Sequence, residues 1–493
     1  MKKKVLISVF IHSQFPEMSR VASVLAQIEA FEPEFLFAGE VDFSLEIERC
    51  KSEGWKYHVH SLKVSSSQSR VSSDVTNTVD AIDHRSAGNR LVQVIKRHKN
   101  HPILKPLLRV VSFFYQNSIQ YQSSVFYLPR HLKLFSGLLR QAEEILRSIH
   151  PDVVVFPNIT VGNLSGMLLH ACKKRATPTV LVPYAWTARI ESLMALQGKR
   201  ALSTHTLLGK YITKAHPHWV WKDTFFYPPS KILPLEWLKV SSQSPWMADA
   251  EADVIAAESK AMADYYAKDG IPAEKCIITG SLSHDRLSQS LKNRNSLLNQ
   301  LQNELGLKAG REFILCSLPP DQTGAGISGF EFENYFQMIE FWINTLSFQK
   351  TYDVIFSLHP RMRNMLKAQD FKAKLLSLGN PLIYQGDIHD LLPLSRFFVA
   401  TLSGTIRSAI CSAVPVLYYD VFNYRMFLYR DVPGVYYATS KKTFLEGVDR
   451  FVGDFEFFSD LKSAQAKIAP DWGVIDGKCK SRMTQLFEGF TSC

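Results

Sequence analysis

Short runs of consecutive apolar residues alternate along this chain with stretches in which apolar residues return every third or fourth position. The runs at Lys4 to Phe10, Glu34 to Ala38, Asp152 to Phe156, Thr179 to Val182, Val254 to Ala257 and Lys275 to Thr279 have the length and continuity of strands buried on both faces of a parallel sheet. A second series follows at Phe313 to Leu318, Val354 to Leu358 and Phe397 to Val399. Helix-period segments lie between them, at Met18 to Ala30, in the stretch ending at Lys173, at Lys260 to Lys268 and at Ile406 to Ser412. This alternation predicts βαβ units. Its two series predict an α/β protein of two Rossmann-like domains.

The break between the series falls in the polar stretch Ser288 to Arg311, which sets the expected organisation: 1–290 as the first domain, 291–460 as the second, and 461–493 as terminal helices packing back across the cleft. A length of 493 residues exceeds one ordinary core and suits two domains. Within the first domain, 64–140 is expected as an insertion. Its first part, 64–100, is rich in Ser, Asp, Asn and Lys, whereas His101 to Arg140 mixes apolar and basic residues. That second part suits a core helix with a solvated basic face, or a helix lying on an anionic membrane surface; core helices are the commoner case. Thr204 to Trp246, rich in aromatics, prolines and histidines, is expected to be irregular and to overlie a site. Its His205, His216 and His218 lack a neighbouring carboxylate or cysteine that would argue for a metal.

The composition, 46% apolar and 21% charged, is that of a globular protein. Fifty-seven Lys and Arg against 46 Asp and Glu leave a formal charge of +11, which favours phosphate, acidic polymer or anionic lipid. No zinc spacing, RNA-binding signature or heptad-linked basic region points to nucleic acid. Seven scattered cysteines without CxxC pairs imply a reducing compartment. The apolar run after MKKK is too short for a signal peptide, and no apolar stretch reaches the ~18 residues of a membrane span. A cytoplasmic protein is expected.

Chemistry is expected at the carboxyl ends of the strands, where ligands of open α/β sheets bind. The run at Phe397 ends in Thr401-Leu402-Ser403-Gly404-Thr405, hydroxyls and a glycine that suit a phosphate and serve equally as helix caps. The run at Val354 ends in His359-Pro360-Arg361. Other strand-end loops offer His12, Gly280-Ser281, Asp285, and Asp321 in a Gly-rich loop that fits neither nucleotide fingerprint. No Asp-x-Asp pair is present, so no metal is assigned.

The order of a strand ending in His359-Pro360, an Asp387-containing loop, Ser403-Gly404-Thr405 before a helix, and Pro415-Val416 resembles the GT-B superfamily. Its members include bacterial sialyltransferases and polysialyltransferases, Kdo transferases, CDP-glycerol polymer transferases and UDP-GlcNAc 2-epimerases. The resemblance implies two Rossmann-like domains with parallel sheets facing a central cleft. It also implies transfer of a sugar from a nucleotide-sugar donor, with a CMP-sugar favoured by the His-Pro pair, to a surface polysaccharide or lipid-linked glycan. No separate cofactor is implied, and neither is nucleic acid; contact with the inner membrane surface would suit a lipid-linked acceptor. In this reading His359, Arg361, Ser403, Gly404 and Thr405 hold the donor phosphate, with Asp387, Gly280 and Ser281 also lining the nucleotide site. His12, Asp285 and Asp321 are the candidate bases. The acidic-Asp-Gly motif of sialyltransferases is missing, and Arg407 stands where the epimerases carry an acidic residue for ribose. Tyr418-Tyr419-Asp420 with Tyr424 resembles the glycerol-phosphate polymer transferases instead. An epimerase or polymer transferase on the same scaffold, and a silent polysaccharide-assembly or lipid-binding protein, are the alternatives.

Overall fold

A computed structural model describes residues 2–39, 41–61, 127–186, 189–194, 202–240, 243–323, 329–359, 362, 369–401, 403–425 and 428–491. The first half contains β1 (Lys3–Val9), α1 (Phe15–Leu25), β2 (Phe31–Gly39), α2 (Ser44–Ser52), β3 (Lys56–Ser61), α3 (Leu128–Ile149), β4 (Val153–Phe156), α4 (Leu164–Lys174), β5 (Thr179–Leu181) and α5 (Arg189–Met194). Then come α6 (Leu207–Ala215), the hairpin β6 (Val220–Trp221) and β7 (Thr224–Phe225), α7 (Pro229–Trp237), β8 (Val254–Ala257), α8 (Lys260–Lys268) and β9 (Cys276–Ile278). Two helices, α9 (Leu282–Lys292) and α10 (Arg294–Leu305), lead to β10 (Phe313–Leu318), α11 (Tyr335–Phe348), β11 (Asp353–Leu358), α12 (Gln369–Leu376) and β12 (Leu382–Tyr384). The chain closes with β13 (Phe398–Ala400), α13 (Thr405–Cys411), β14 (Val416–Tyr419), β15 (Val435–Ala438), α14 (Lys441–Gly453), α15 (Phe455–Trp472) and α16 (Cys479–Glu488).

The strands form two parallel sheets, ordered β3-β2-β1-β4-β5-β8-β9 and β12-β11-β10-β13-β14-β15. In each, the first strand lies between the second and fourth, so the winding direction reverses there and a crevice opens at the carboxyl ends. The continuous apolar runs have a physical reason. In β1, Leu6 joins the core on one face with Val154 and Phe156, while Val5 and Ile7 join the core on the other with Val153 and Val155. Likewise Ile314 and Cys316 of β10 face one side and Phe313 and Leu315 the other.

The described end of the basic segment is α3, whose His131, Leu134, Phe135, Leu138 and Ile145 are buried in the first core while Lys133 and Arg140 face solvent. It is a core helix; residues 64–126 of the expected insertion lie outside the described residues. The stretch from Thr204 to Trp246 is more regular than its prolines suggest. Pro229 sits in the first turn of α7, where a missing N–H costs nothing, and Trp219, Phe225, Phe226 and Tyr227 pack into the core.

Passage between the lobes is gradual: Leu282 packs with the first sheet, and Leu287 and Leu301, further along α9 and α10, with the second. The chain then returns. Phe458 of α15 sits in the second core, but Met483, Leu486 and Phe487 of α16 lie in the first with Val5, Ile7 and Phe31. Lys3 Nζ donates to the Phe490 carbonyl at 2.8 Å. No helix among the described residues is long and apolar enough to cross a membrane. Phe487→Ala removes a fully buried ring that meets Phe31 edge-on at 6.4 Å. The expected loss is about 3–5 kcal/mol, seen as a lower urea midpoint at unchanged slope.

Candidate functional site

Two polar bridges fix how the sheets face. Glu258, the first residue beyond β8, accepts two hydrogen bonds from Arg407 in the first turn of α13, from Nε at 2.6 Å and from Nη2 at 3.1 Å. Both side chains are buried. Because one residue follows the carboxyl end of a first-sheet strand and the other follows the carboxyl end of β13, those two sheet edges point at each other. Burial by itself would lower the Arg407 pKa, but the Glu258 carboxylate outweighs it and keeps the guanidinium charged. The guanidinium also lies 5.5 Å over Trp186, which stacks on Trp472 at 5.3 Å.

The second bridge centres on Asp387. Its Oδ2 accepts from Arg20 Nη2 of α1 at 2.9 Å and lies 3.4 Å from Arg286 Nη1, and its Oδ1 accepts from the His389 backbone N–H at 3.1 Å and pairs with His389 Nδ1 at 2.6 Å. Arg286 also pairs with Asp390, which accepts from the Tyr384 hydroxyl at 3.1 Å. Burial raises the Asp387 pKa, yet the His389 hydrogen bond and charge and the Arg20 charge more than reverse it, holding the carboxyl well below its ordinary 3.8.

Between these bridges lies the crevice of the second sheet. β10 pairs with β11 on one side and β13 on the other, Leu318 opposite Leu358 and Cys316 opposite Val399. His359 and Ser403 therefore leave the same sheet edge at nearly the same level, two strand spacings or roughly 10 Å apart. His359 is half-buried and accepts the Met362 N–H on its carbonyl at 2.7 Å. Arg361 lies outside the described residues. Ser403 Oγ and Thr405 Oγ1 are 2.8 Å apart beside exposed Gly404. Asp321, beyond β10, accepts from the Thr323 N–H and hydroxyl at 2.9 and 2.7 Å. Beyond β14, buried Asp420 accepts the Tyr424 and Arg425 N–H groups at 2.9 Å each and the Tyr437 hydroxyl at 3.0 Å, shaping the adjoining loop.

The crevice of the first sheet lies between β1 and β4. Gln14 spans it, accepting the Phe10 N–H at 2.6 Å and donating to Asn158 Oδ1 at 2.9 Å. His12 is held by Glu46 of α2, Nδ1 to Oε1 at 2.7 Å, so Nε2 is the nitrogen left for a ligand. The His12 side chain is 42% exposed and that of Glu46 11%, and Glu46 Oε2 is buried without a hydrogen-bond partner among the described residues.

Three other expected residues stand at the crossing of α16. Gly280 has φ +78°, and a Cβ there would sit 2.4 Å from Cys479 Sγ, so the glycine admits the helix. Ser281 Oγ donates to Glu17 at 3.2 Å. Asp285 accepts the Cys479 and Lys480 N–H groups, each at 2.8 Å, capping α16. The structure thus gathers His359, Asp321, Ser403, Gly404 and Thr405 at one sheet edge, places His12 at the opposing one, and gives Asp387, Gly280, Ser281 and Asp285 partners between the lobes. Glu46 and Glu258 were not singled out from the sequence, which gives no sign of contacts made across 34 and 149 residues.

No family model matches the chain, and no curated protein matches it in sequence. Solved structures match its fold. MnaA from S. aureus with UDP superposes at a TM-score of 0.51 with 12% identity, covering 100% of this chain and 97% of that one. UDP-GlcNAc 2-epimerase from Neisseria meningitidis bound to UDP-GlcNAc gives 0.51 and 12%, over 99% and 100%. The calicheamicin glycosyltransferase CalG4 gives 0.51 and 13%, over 100% and 98%. The chain has the GT-B fold of these epimerases and glycosyltransferases.

Glu258→Gln leaves the Arg407 charge buried without its counter-ion, and a loss of about 3–5 kcal/mol in urea unfolding is expected; replacing both residues by Met should recover most of it. Asp387 stabilises the fold above its unfolded pKa of 3.8, and that contribution fades as pH falls toward the lower folded value. Asp387→Asn is therefore expected to be less stable than the parent near neutral pH, with the difference shrinking below about pH 4.

Proposed function

We propose that the protein is a glycosyltransferase that moves a sugar from a nucleotide donor to an acceptor hydroxyl, in one displacement across the cleft. The observation that carries this reading is the pairing of opposed sheet edges: a carboxylate-held histidine at one, and the His359, Ser403 and Thr405 donor set at the other.

In this reading the nucleotide phosphate lies at the β10–β13 crevice, with the acceptor over β1. His12 Nε2 takes the proton of the acceptor hydroxyl as that oxygen bonds to the anomeric carbon. The bond from that carbon to the phosphate oxygen breaks, and its electron pair leaves on the phosphate. Glu46 offsets the charge that His12 gains, and the donors at His359, Ser403 and Thr405 stabilise the charge that the phosphate gains. Arg361 adds a fixed positive charge. One displacement inverts the anomeric centre, and no metal enters these steps.

A CMP-sugar is the favoured donor on the His359-Pro360 resemblance, and a surface polysaccharide or lipid-linked glycan the favoured acceptor. Epimerisation of a UDP-sugar is the second reading, favoured by the fold neighbours that hold UDP and UDP-GlcNAc. Against it, the first turn of α13 carries no acidic residue, and its Arg407 is bound to Glu258.

Incubation with CMP-, UDP- and CDP-activated sugars, with and without glycan acceptors, separates the readings by mass spectrometry. Acceptor-dependent product supports transfer. An isomerised donor formed without acceptor replaces it by epimerisation. His359→Ala is expected to lower kcat by at least about 10²-fold with an unchanged circular dichroism spectrum. His12→Ala should cost about 10²–10⁴-fold, and Glu46→Gln a smaller factor with an altered pH profile. Undiminished turnover in His359→Ala removes the donor assignment.

A further inference from the structure

The sequence offers His216-Pro217-His218 with no carboxylate nearby; the fold brings one from 18 and 20 residues further on. His216 closes α6, and His218 lies in the 3-10 turn Pro217–Trp219 that follows. Glu236 stands in the last turn of α7. His216 Nδ1 lies 2.8 Å from Glu236 Oε2, and His218 Nε2 lies 2.8 Å from Oε1. The indole N–H of fully buried Trp219 donates to the same Oε1 at 2.6 Å, fixing the carboxylate from behind. The side chains of His216, His218 and Glu236 are 26%, 27% and 15% exposed, so solvent reaches all three.

We infer that His216, His218 and Glu236 form a binding site for a divalent transition-metal ion, zinc foremost, that ties the end of α6 to the end of α7. Two imidazole nitrogens and one carboxylate, with water in the fourth position, make a donor set for zinc, nickel or copper; magnesium and calcium favour oxygen donors throughout. The two rings have centroids 6.2 Å apart and planes at 87°. Rings sharing a tetrahedral zinc at about 2.0–2.1 Å per nitrogen have centroids roughly 5 Å apart, so binding requires both rings to rotate until their nitrogens converge on one ion beside the carboxylate. Metal on His216 Nδ1 and His218 Nε2 leaves each neutral ring its one proton on the opposite nitrogen. Trp219 then serves as the outer partner that orients the ligating carboxylate, as metal sites commonly require. The ion closes a loop that contains the β6–β7 hairpin, which is anchored in the core by Trp219 and Phe225.

The inference is independent of the proposed reaction and is tested without it. Full-length protein stripped with EDTA is titrated with zinc alone by calorimetry, with bound metal counted by mass spectrometry and thermal unfolding followed in parallel. One zinc per chain and a rise of several degrees in Tm are expected, both lost or weakened at least tenfold in His218→Ala and Glu236→Gln. Cobalt substituted for zinc should give visible absorption bands of a four-coordinate site. Should either variant fail to fold, His216→Gln supplies the same comparison. Absence of stoichiometric zinc overturns the proposal. So does zinc bound equally well by the variants, which would direct attention to Asp285, Asp476 and Cys479, whose ligand atoms lie within 4.8 Å of one another.

Discussion

The buried pair of Glu258 and Arg407 is the constraint on which the arrangement of this molecule rests. A guanidinium without access to water needs a counter-ion in contact, and here the counter-ion belongs to the other lobe. Separating the lobes at this point would strand two charges in an apolar setting of Trp186, Trp472 and Tyr429. The pair therefore sets the distance between the two sheet edges at this point. The more exposed Arg20–Asp387 bridge does similar work where water can share the load, and its contribution is correspondingly smaller.

Much of the fold was legible because strands buried on both faces must be apolar at every position. The runs in β1, β4, β10 and β11 could be read almost to the residue. Where the reading failed, the cause was local chemistry with two uses. Prolines around Pro229 and aromatics around Trp219 suggested irregular chain, yet proline is at home in the first turn of a helix and the aromatics were core residues. The segment from His101 to Arg140 was ambiguous for the same reason: alternation of apolar and basic residues suits a membrane surface and a protein core alike. Burial of Leu134, Phe135 and Leu138 decides for the core over its described part.

The candidate site was legible as positions on the strand ends and illegible as partnerships. Strand ends announce where ligands bind, so His359, Ser403, Thr405, Asp321 and His12 could be named from the sequence. What those side chains do depends on neighbours that no spacing reveals. Asp285 looked like a candidate base and caps a helix 194 residues away. Glu46 lay unnoticed in an ordinary helix, and Glu236 completes a histidine pair that had seemed unsupported. Carboxylates are frequent enough in any sequence that their partners emerge once the chain has folded.

The return of α16 to the first lobe has a consequence for biogenesis. Val5 and Phe31 are made well before Met483 and Phe487, which cover them. At about 5–20 residues per second, the nascent first sheet waits on the order of a minute for that cover. Until α16 is made the amino-terminal lobe keeps a sticky apolar face, and termination upstream of α16 would release that face uncovered, a natural client for chaperones.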